Sequence, residues 1–121
     1  IHHAKNLQYH PQLGYSWEGY VIEQIISLLP NTIQPYYYRT HDGAEVDLIL
    51  VKGIMPIASL EIKYTEKPSL SKGYTESIKD LKTKHNYFIT PGNEKPWPLN
   101  KNIMAVGLTE FLAQVLPKII K

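Results

Sequence analysis

The chain reads as one α/β domain with a mixed central sheet flanked by helices. Three observations predict this class. Helical and extended patterns follow one another as helix, three strands, helix, strand, and a closing strand and helix, an order that places helices on both faces of a sheet. Two of the extended segments, 45–51 and 55–64, carry apolar residues at both alternating sets of positions, as central strands covered on two sides do. A chain of 121 residues with 43% hydrophobic and 20% charged residues suits one core and argues against wholesale disorder.

Residues 1–15 look irregular, broken by His10-Pro11 and Gly14, and a start at Ile1 rather than Met suggests a fragment of something longer. The domain proper is taken as 16–121. A helix is expected over 16–29, with Ser16 as N-cap and Pro30-Asn31 as the stop. Tyr36-Tyr37-Tyr38-Arg39-Thr40 reads as a strand, Asp42-Gly43 as a turn, and 45–51 as a second strand. Lys52-Gly53 turns the chain into a third strand over 55–64, where Pro56 lies near the start and its missing N–H does least harm. Pro68 and Ser69 introduce a helix over 70–82, whose Leu70, Tyr74, Ile78 and Leu81 recur at helical spacing. Residues 85–90 form a fourth strand closed by Pro91-Gly92, and 91–102 a loop holding Pro96-Trp97-Pro98. A short strand over 103–106 leads to a last helix over 108–118, with Leu108, Phe111, Leu112, Val115 and Leu116 on one face.

The absence of cysteine excludes disulfides, cysteine–zinc and iron–sulfur centres, and thiol catalysis. No apolar run approaches the length of a membrane span and no signal peptide is visible, so a cytoplasmic chain with no membrane partner is expected. Charge divides unevenly. Residues 1–50 carry two basic side chains against five acidic ones, a balance of −3, while 51–121 carry eleven lysines against six acids, a balance of +5, giving the net +2. A lysine-rich second half could meet a polyanion or form a solvated surface.

The informative residues are acids placed where burial is expected. On the first helix Trp17, Val21, Ile22, Ile25, Leu28 and Leu29 make one stripe, and Glu18 falls inside it. A buried carboxylate is costly unless paired, hydrogen-bonded or bound to metal; alternatively Glu18, in the first turn, is a partly exposed residue favoured by the helix dipole. Alternation puts Val46, Leu48 and Leu50 on one face of the second strand and Glu45, Asp47, Ile49 and Val51 on the other. In the third strand Ala58, Leu60, Ile62 and Tyr64 oppose Ile57, Ser59, Glu61 and Lys63. With the two strands antiparallel, Asp47 and Glu61 can lie roughly 5–8 Å apart, although a one-residue slip in register would face them apart. If they converge, two carboxylates call for a cation between them, and oxygen donors without Cys or His favour Mg²⁺ or Mn²⁺. The Ile62 carbonyl could add a ligand. Lys63 could orient or deprotonate a water and stabilise charge developing on a phosphate. The set suits metal-dependent phosphodiester hydrolysis; the plain alternative is a structural salt-bridge network of Asp47, Glu61 and Lys63.

The order Glu18, Asp47, then Glu61-Ile62-Lys63 resembles the PD-(D/E)xK, or restriction-endonuclease-like, superfamily, whose core is one helix, three strands, a helix and a strand. The stretches LGYSWEGYVIEQI, YYYRTHDGAEVDLIL and PIASLEIKYTEKPS are similar to the nuclease-like domain of unknown function that ends many bacterial and archaeal AAA+ ATPases, and YFITPG and VGLTEFL also fit. The resemblance spans about residues 10–116. It implies Asp47 and Glu61 as metal ligands, Lys63 as the catalytic lysine, and Glu18 as the first-helix acid of resolvase- and exonuclease-like members. Glu45 has no assured role. It further implies a magnesium-dependent endo- or exodeoxyribonuclease, DNA as partner, and an AAA+ ATPase portion missing from this fragment. Two departures stand out. Val46 occupies the place of the superfamily's Pro, and the second helix lacks the Gln-x-x-x-Tyr pattern of helicase-associated nucleases. No Gly-x-x-x-x-Gly-Lys-Ser/Thr occurs, so this fragment alone is not expected to hydrolyse ATP.

Other residues carry weaker signals. Tyr36, Tyr37 and Tyr38 could stack on bases or be alternately buried. Lys72, Lys79 and Lys82 could touch phosphates or face solvent. His41 reads as a turn residue near the proposed site. Trp97 reads as a cap on the core or an interface anchor. The competing functional class is a catalytically inactive, DNA-binding, regulatory or oligomerising module of an ATPase; a plain structural domain leaves the inward acids without a reason.

Overall fold

The computed structural model describes residues 7–9, of which the backbone alone, together with 16–41 and 43–121. The breakers His10-Pro11 and Gly14 and the turn residue Asp42 lie outside the described residues. Helix α1 (Trp17–Ser27) starts as its sequence dictates: Ser16 is the N-cap and its hydroxyl accepts from the Gly19 amide at 2.9 Å. Strands β2 (Ile33–Arg39), β3 (Glu45–Lys52) and β4 (Met55–Ile62) follow as an antiparallel meander. Helix α2 (Lys72–Leu81) then crosses over to β5 (His85–Thr90), which pairs parallel to β4. Strand β7 (Met104–Gly107) pairs parallel to β5. Among the described residues the sheet order is β1-β2-β3-β4-β5-β7-β6, so the α/β class and mixed sheet hold.

Several boundaries differ from expectation, each for a local reason. Residues 7–9, read as irregular, form strand β1 (Leu7–Tyr9) on the outer edge of β2. The α2 cap is Ser71, whose hydroxyl accepts from the Tyr74 amide at 3.1 Å; Leu70 therefore precedes the helix. The loop 91–102 contains a two-residue strand, β6 (Trp97–Pro98), paired with β7. The closing helix is not regular. It runs as α3 (Leu108–Glu110), a π-turn (Phe111–Val115) and α4 (Leu116–Ile120). Pro117 has no N–H for the carbonyl four residues back, and the wide π-turn interrupts the ladder just before it.

The sheet buries two cores. On one face α1 (Val21, Ile22, Ile25) and the closing helical run (Phe111, Val115, Leu116, Ile119) cover Leu48, Leu50, Ala58, Leu60, Ile62, Ile89 and Val106. On the other, Tyr74, Ile78 and Leu81 of α2 cover Tyr38, Val46, Ile49 and Val51. Helices on both faces are thus observed. Two face assignments need correction. Val46 does not share a face with Leu48 and Leu50: Tyr36 pairs with Ile49 but Tyr38 with Val46, so β3 holds one extra residue, a bulge at Asp47-Leu48 that turns Val46 to the α2 side. Likewise Leu50 pairs with Ala58 but Val51 with Pro56, and Ile57, at that bulge in β4, packs against the α1-side core rather than facing the same way as Ser59 and Glu61.

Candidate active site

Strands β3 and β4 bring Asp47 and Glu61 together. Their pairing ends at Leu48 opposite Leu60, and the next residues in that register are Asp47 and Glu61. The ladder does not continue in the ordinary way. The Ile62 amide donates instead to Asp47 Oδ2 at 2.9 Å, so the side chain at the bulge replaces a strand carbonyl. Asp47 and Glu61 lie close enough to affect one another's ionisation.

The electrostatics agree. Burial, then the charge of Asp47 and the hydrogen bond to it, push the Glu61 carboxyl up to about 8. Burial raises Asp47 as well, against the lowering effect of the Ile62 amide. Lys63 lies close enough to favour both ionised forms, while Glu45, two residues before Asp47, disfavours them. Burial and the Asp47 charge therefore favour the protonated form of Glu61. Glu61 is 7% exposed, and its Oε1 atom is buried with no hydrogen-bond partner among the described residues. Natural folds rarely leave a buried carboxylate oxygen unanswered.

The floor of the site is rigid. Tyr74 is almost fully buried, and its hydroxyl donates to the Ser59 carbonyl at 2.6 Å, with the Tyr87 carbonyl at 3.1 Å as a second acceptor. It ties α2 to β4 and β5 beneath the acid pair. Burial raises its pKa well above the usual tyrosine value, and the nearby Glu61 and Asp47 charges add to this. Helical spacing on α2 points Tyr74 inward, but nothing in the sequence ties it to the acids. At the rim, Arg39 Nη2 pairs with Glu45 Oε1 at 3.0 Å and the guanidinium lies over the Tyr37 ring at 5.5 Å. The arginine and Glu45 belong to opposite strands, paired in register across β2 and β3. That partnership answers part of what Glu45 does, and sequence alone did not show it.

The remaining sequence-derived site residues fall as follows. Lys63 is exposed just past the end of β4, with its amide bonded to the Ile89 carbonyl at 3.1 Å. Ile62 turns its side chain into the α1-side core and offers its amide to Asp47. Glu18 Oε2 accepts from the Tyr64 amide at 3.4 Å, just past the end of β4 and next to Lys63, in an exposed setting. Among the described residues no three His, Cys, Asp or Glu side chains converge in a way that could hold a metal. What converges is a two-carboxylate centre with a lysine beside it. Hard oxygen donors, one of them an orphaned buried atom, fit Mg²⁺ or Mn²⁺ with water completing the shell.

Tyr38 is buried, with its hydroxyl donating to Asp80 Oδ2 at 3.3 Å, and Tyr36 is partly buried on the same core, as alternation in a strand requires. Lys72, Lys79 and Lys82 are exposed. No helix among the described residues is long and apolar enough to cross a membrane.

Comparison with known proteins places these features in a family. The model of DUF4143, a domain of unknown function, matches residues 13–111. An uncharacterized protein of Mycobacterium bovis is 37% identical over 107 residues, and an uncharacterized protein of Mycobacterium tuberculosis is identical to the same degree over the same length. Each alignment covers 88% of this chain and 23% of the relative, so the chain spans about a quarter of the length of the curated relatives it matches. No solved structure matches it.

Proposed function

This chain belongs to the DUF4143 family, and from its acid pair we propose that it is a metal-dependent, nuclease-like domain of the PD-(D/E)xK type that hydrolyses DNA phosphodiesters, working in the cytoplasm as the C-terminal part of a longer AAA+ ATPase. The supporting observation is the convergence of Asp47, Glu61 and Lys63 where β3 and β4 part, with Glu61 Oε1 buried and unanswered. The order helix, three strands, helix, strand around that point supports the reading.

Asp47 and Glu61 would hold the cation, with the Ile62 carbonyl as a further donor. When bound, a divalent ion supplies a polarised phosphoryl oxygen and a more acidic water. The chain's own residues do the rest. Glu61 must give up its proton before it can hold a dication, so loading is favoured as pH rises toward its value of about 8. The Ile62 amide fixes Asp47, so that little reorganisation is needed. Lys63, exposed at the strand end, reaches solvent and substrate, positions the attacking water and offsets charge growing on the phosphate. Glu18 is held on the amide of Tyr64, the residue after Lys63, so the first-helix acid reaches the strand end that carries the lysine.

Isothermal calorimetry with Mg²⁺ and with Mn²⁺, on the wild type and on Asp47→Asn, tests the reading; equal heats for the two proteins defeat it. Cleavage of single-stranded, duplex and branched DNA, with Lys63→Ala as control, then tests activity. The second reading is a catalytically inactive, DNA-binding, regulatory or oligomerising module, and metal binding without cleavage would favour it.

A further inference from the structure

A groove of about 590 Å³ opens at the carboxyl ends of β4 and β5, between the segment after β4 and the loop after β5. Parallel strands commonly present ligand sites at this end. Tyr64 and Trp97 line it with aromatic surface. Tyr64 is 70% exposed, yet its ring is braced edge-on by Trp17 at 5.5 Å, so a large aromatic face is held in water. Trp97 is fixed from behind by pairing with Ala105.

Two carboxylates, Glu66 and Glu94, also line it, beside Thr65, Thr90, Pro91 and Gly92, and neither carboxylate has an ion-pair or hydrogen-bond partner among the described residues. Glu94 does not stray into solvent. Its Oε1 folds back over Gly92, 2.9 Å from where a Cβ would stand on that residue, whose φ of +107° suits glycine. The loop that carries it is pinned by the Gly107 amide on the Glu94 carbonyl at 3.0 Å and the Thr109 amide on the Gly92 carbonyl at 3.1 Å. A side chain at Gly107 would come within 2.6 Å of the Glu94 amide, so the loop packs on bare backbone. Lys67 and Lys95, neighbours in sequence, do not line the groove.

Fixed aromatic surface beside two uncompensated carboxylates is complementary to an organic cation. A phosphate there would meet like charge, and a neutral apolar group would strip water from the carboxylates without return. The volume exceeds what one guanidinium or ammonium fills and suits a side chain entering with flanking backbone. We propose that this groove binds an arginine or lysine side chain presented by a polypeptide, with the cationic head at Glu66 and Glu94 and the aliphatic stem along Tyr64 and Trp97. The inference needs none of the metal chemistry proposed above.

Fluorescence anisotropy with the full chain and a dye-labelled octapeptide of alternating glycine and arginine tests it, beside a lysine counterpart, a citrulline counterpart, spermidine and a dye-labelled dodecamer of thymidylate. The arginine and lysine peptides are expected to bind, and the citrulline peptide to bind at least about tenfold more weakly. Glu66→Gln with Glu94→Gln should weaken the arginine peptide by about tenfold or more, as should Trp97→Leu, while Glu23→Gln with Glu110→Gln should leave it unchanged. Thermal melts confirm folding, and the glutamine pair, at exposed positions, carries the test if Trp97→Leu melts early. Equal binding of the citrulline peptide, no effect of Glu66→Gln with Glu94→Gln, or an equal loss from the Glu23 and Glu110 pair would each overturn the proposal. So would spermidine displacing the peptide at equal concentration, which assigns the groove to free polyamines. Thymidylate binding that Trp97→Leu abolishes and the Glu66 and Glu94 variants strengthen assigns it to nucleic acid.

Discussion

Ser59 and Glu61 occupy the same strand and the same face of it, two residues apart, and both are buried, at 0% and 7% exposure. Their surroundings could hardly differ more. The Ser59 hydroxyl meets Thr83 Oγ1 at 2.7 Å, Thr83 meets Asn86 Oδ1 at 2.6 Å, and the Asn86 amide nitrogen reaches the carbonyls of Thr83 and Asn102. Every member has a partner, and the network locks the tight connection from α2 to β5, where Lys82 adopts a left-handed conformation. The pKa of Glu61 is raised to about 8, chiefly by burial and then by the Asp47 charge, and its Oε1 is left without a partner among the described residues. A closed polar network stabilises a fold. A half-closed one costs stability, and such costs concentrate where a protein binds or reacts.

Substitutions should separate the two regions, the largest effect falling on chemistry at the acid pair. Lys63→Ala is expected to lower DNA cleavage by roughly 10²- to 10⁴-fold with a melting temperature close to wild type, since Lys63 is exposed; gel-based rates beside a melt test this. Asn86→Ala should do the reverse, leaving metal heats intact while costing about 1–3 kcal/mol in denaturant titration, because it strands Thr83 and the Asn102 carbonyl.

The pH dependence sharpens the contrast further. Glu61 is raised above its ordinary value to about 8, chiefly by burial, so the fold prefers its protonated form. The stability this confers is full below the unfolded carboxylate range and is lost as pH rises through about 8. In EDTA the melting temperature should therefore fall from pH 5 to pH 8.5, and Glu61→Gln, which cannot ionise, should flatten that slope. Added Mg²⁺ should restore stability at pH 8.5 more than at pH 5.5, by about 2.7 kcal/mol when the ion is at a hundred times its dissociation constant. The smallest effect belongs to the rim. Arg39→Ala removes a well-exposed ion pair with Glu45 and should change unfolding free energy by about 0.5 kcal/mol or less.

Much of this architecture was readable from residues alone, and the lapses have physical causes. Leu28, expected in the apolar stripe of α1, is instead the C-cap and half exposed, but Ser16, the buried Val21, Ile22 and Ile25 of α1, the β3–β4 hairpin and the two-sided burial of its strands follow from local chemistry. So does the candidate trio Asp47, Glu61 and Lys63. Strict alternation put Val46 on the wrong face because a bulge adds one residue at Asp47 itself, and pattern rules carry no information about where a strand is interrupted. Tyr74 was legible as a core residue but not as the tie beneath the acids, because its partners are backbone carbonyls. Strands β1 and β6 are too short to show periodicity. Glu18 sat correctly on α1, yet only coordinates could reveal that it reaches the Tyr64 amide.

Among the described residues the sheet ends at β6 with a strand of two residues, the second a proline. An outer margin that brief, and lacking one of its two amide hydrogens, gives a foreign strand almost nothing to zip onto. Fibrous growth from that side is thereby discouraged, and neighbours that approach there must rely on side chains rather than on main-chain pairing.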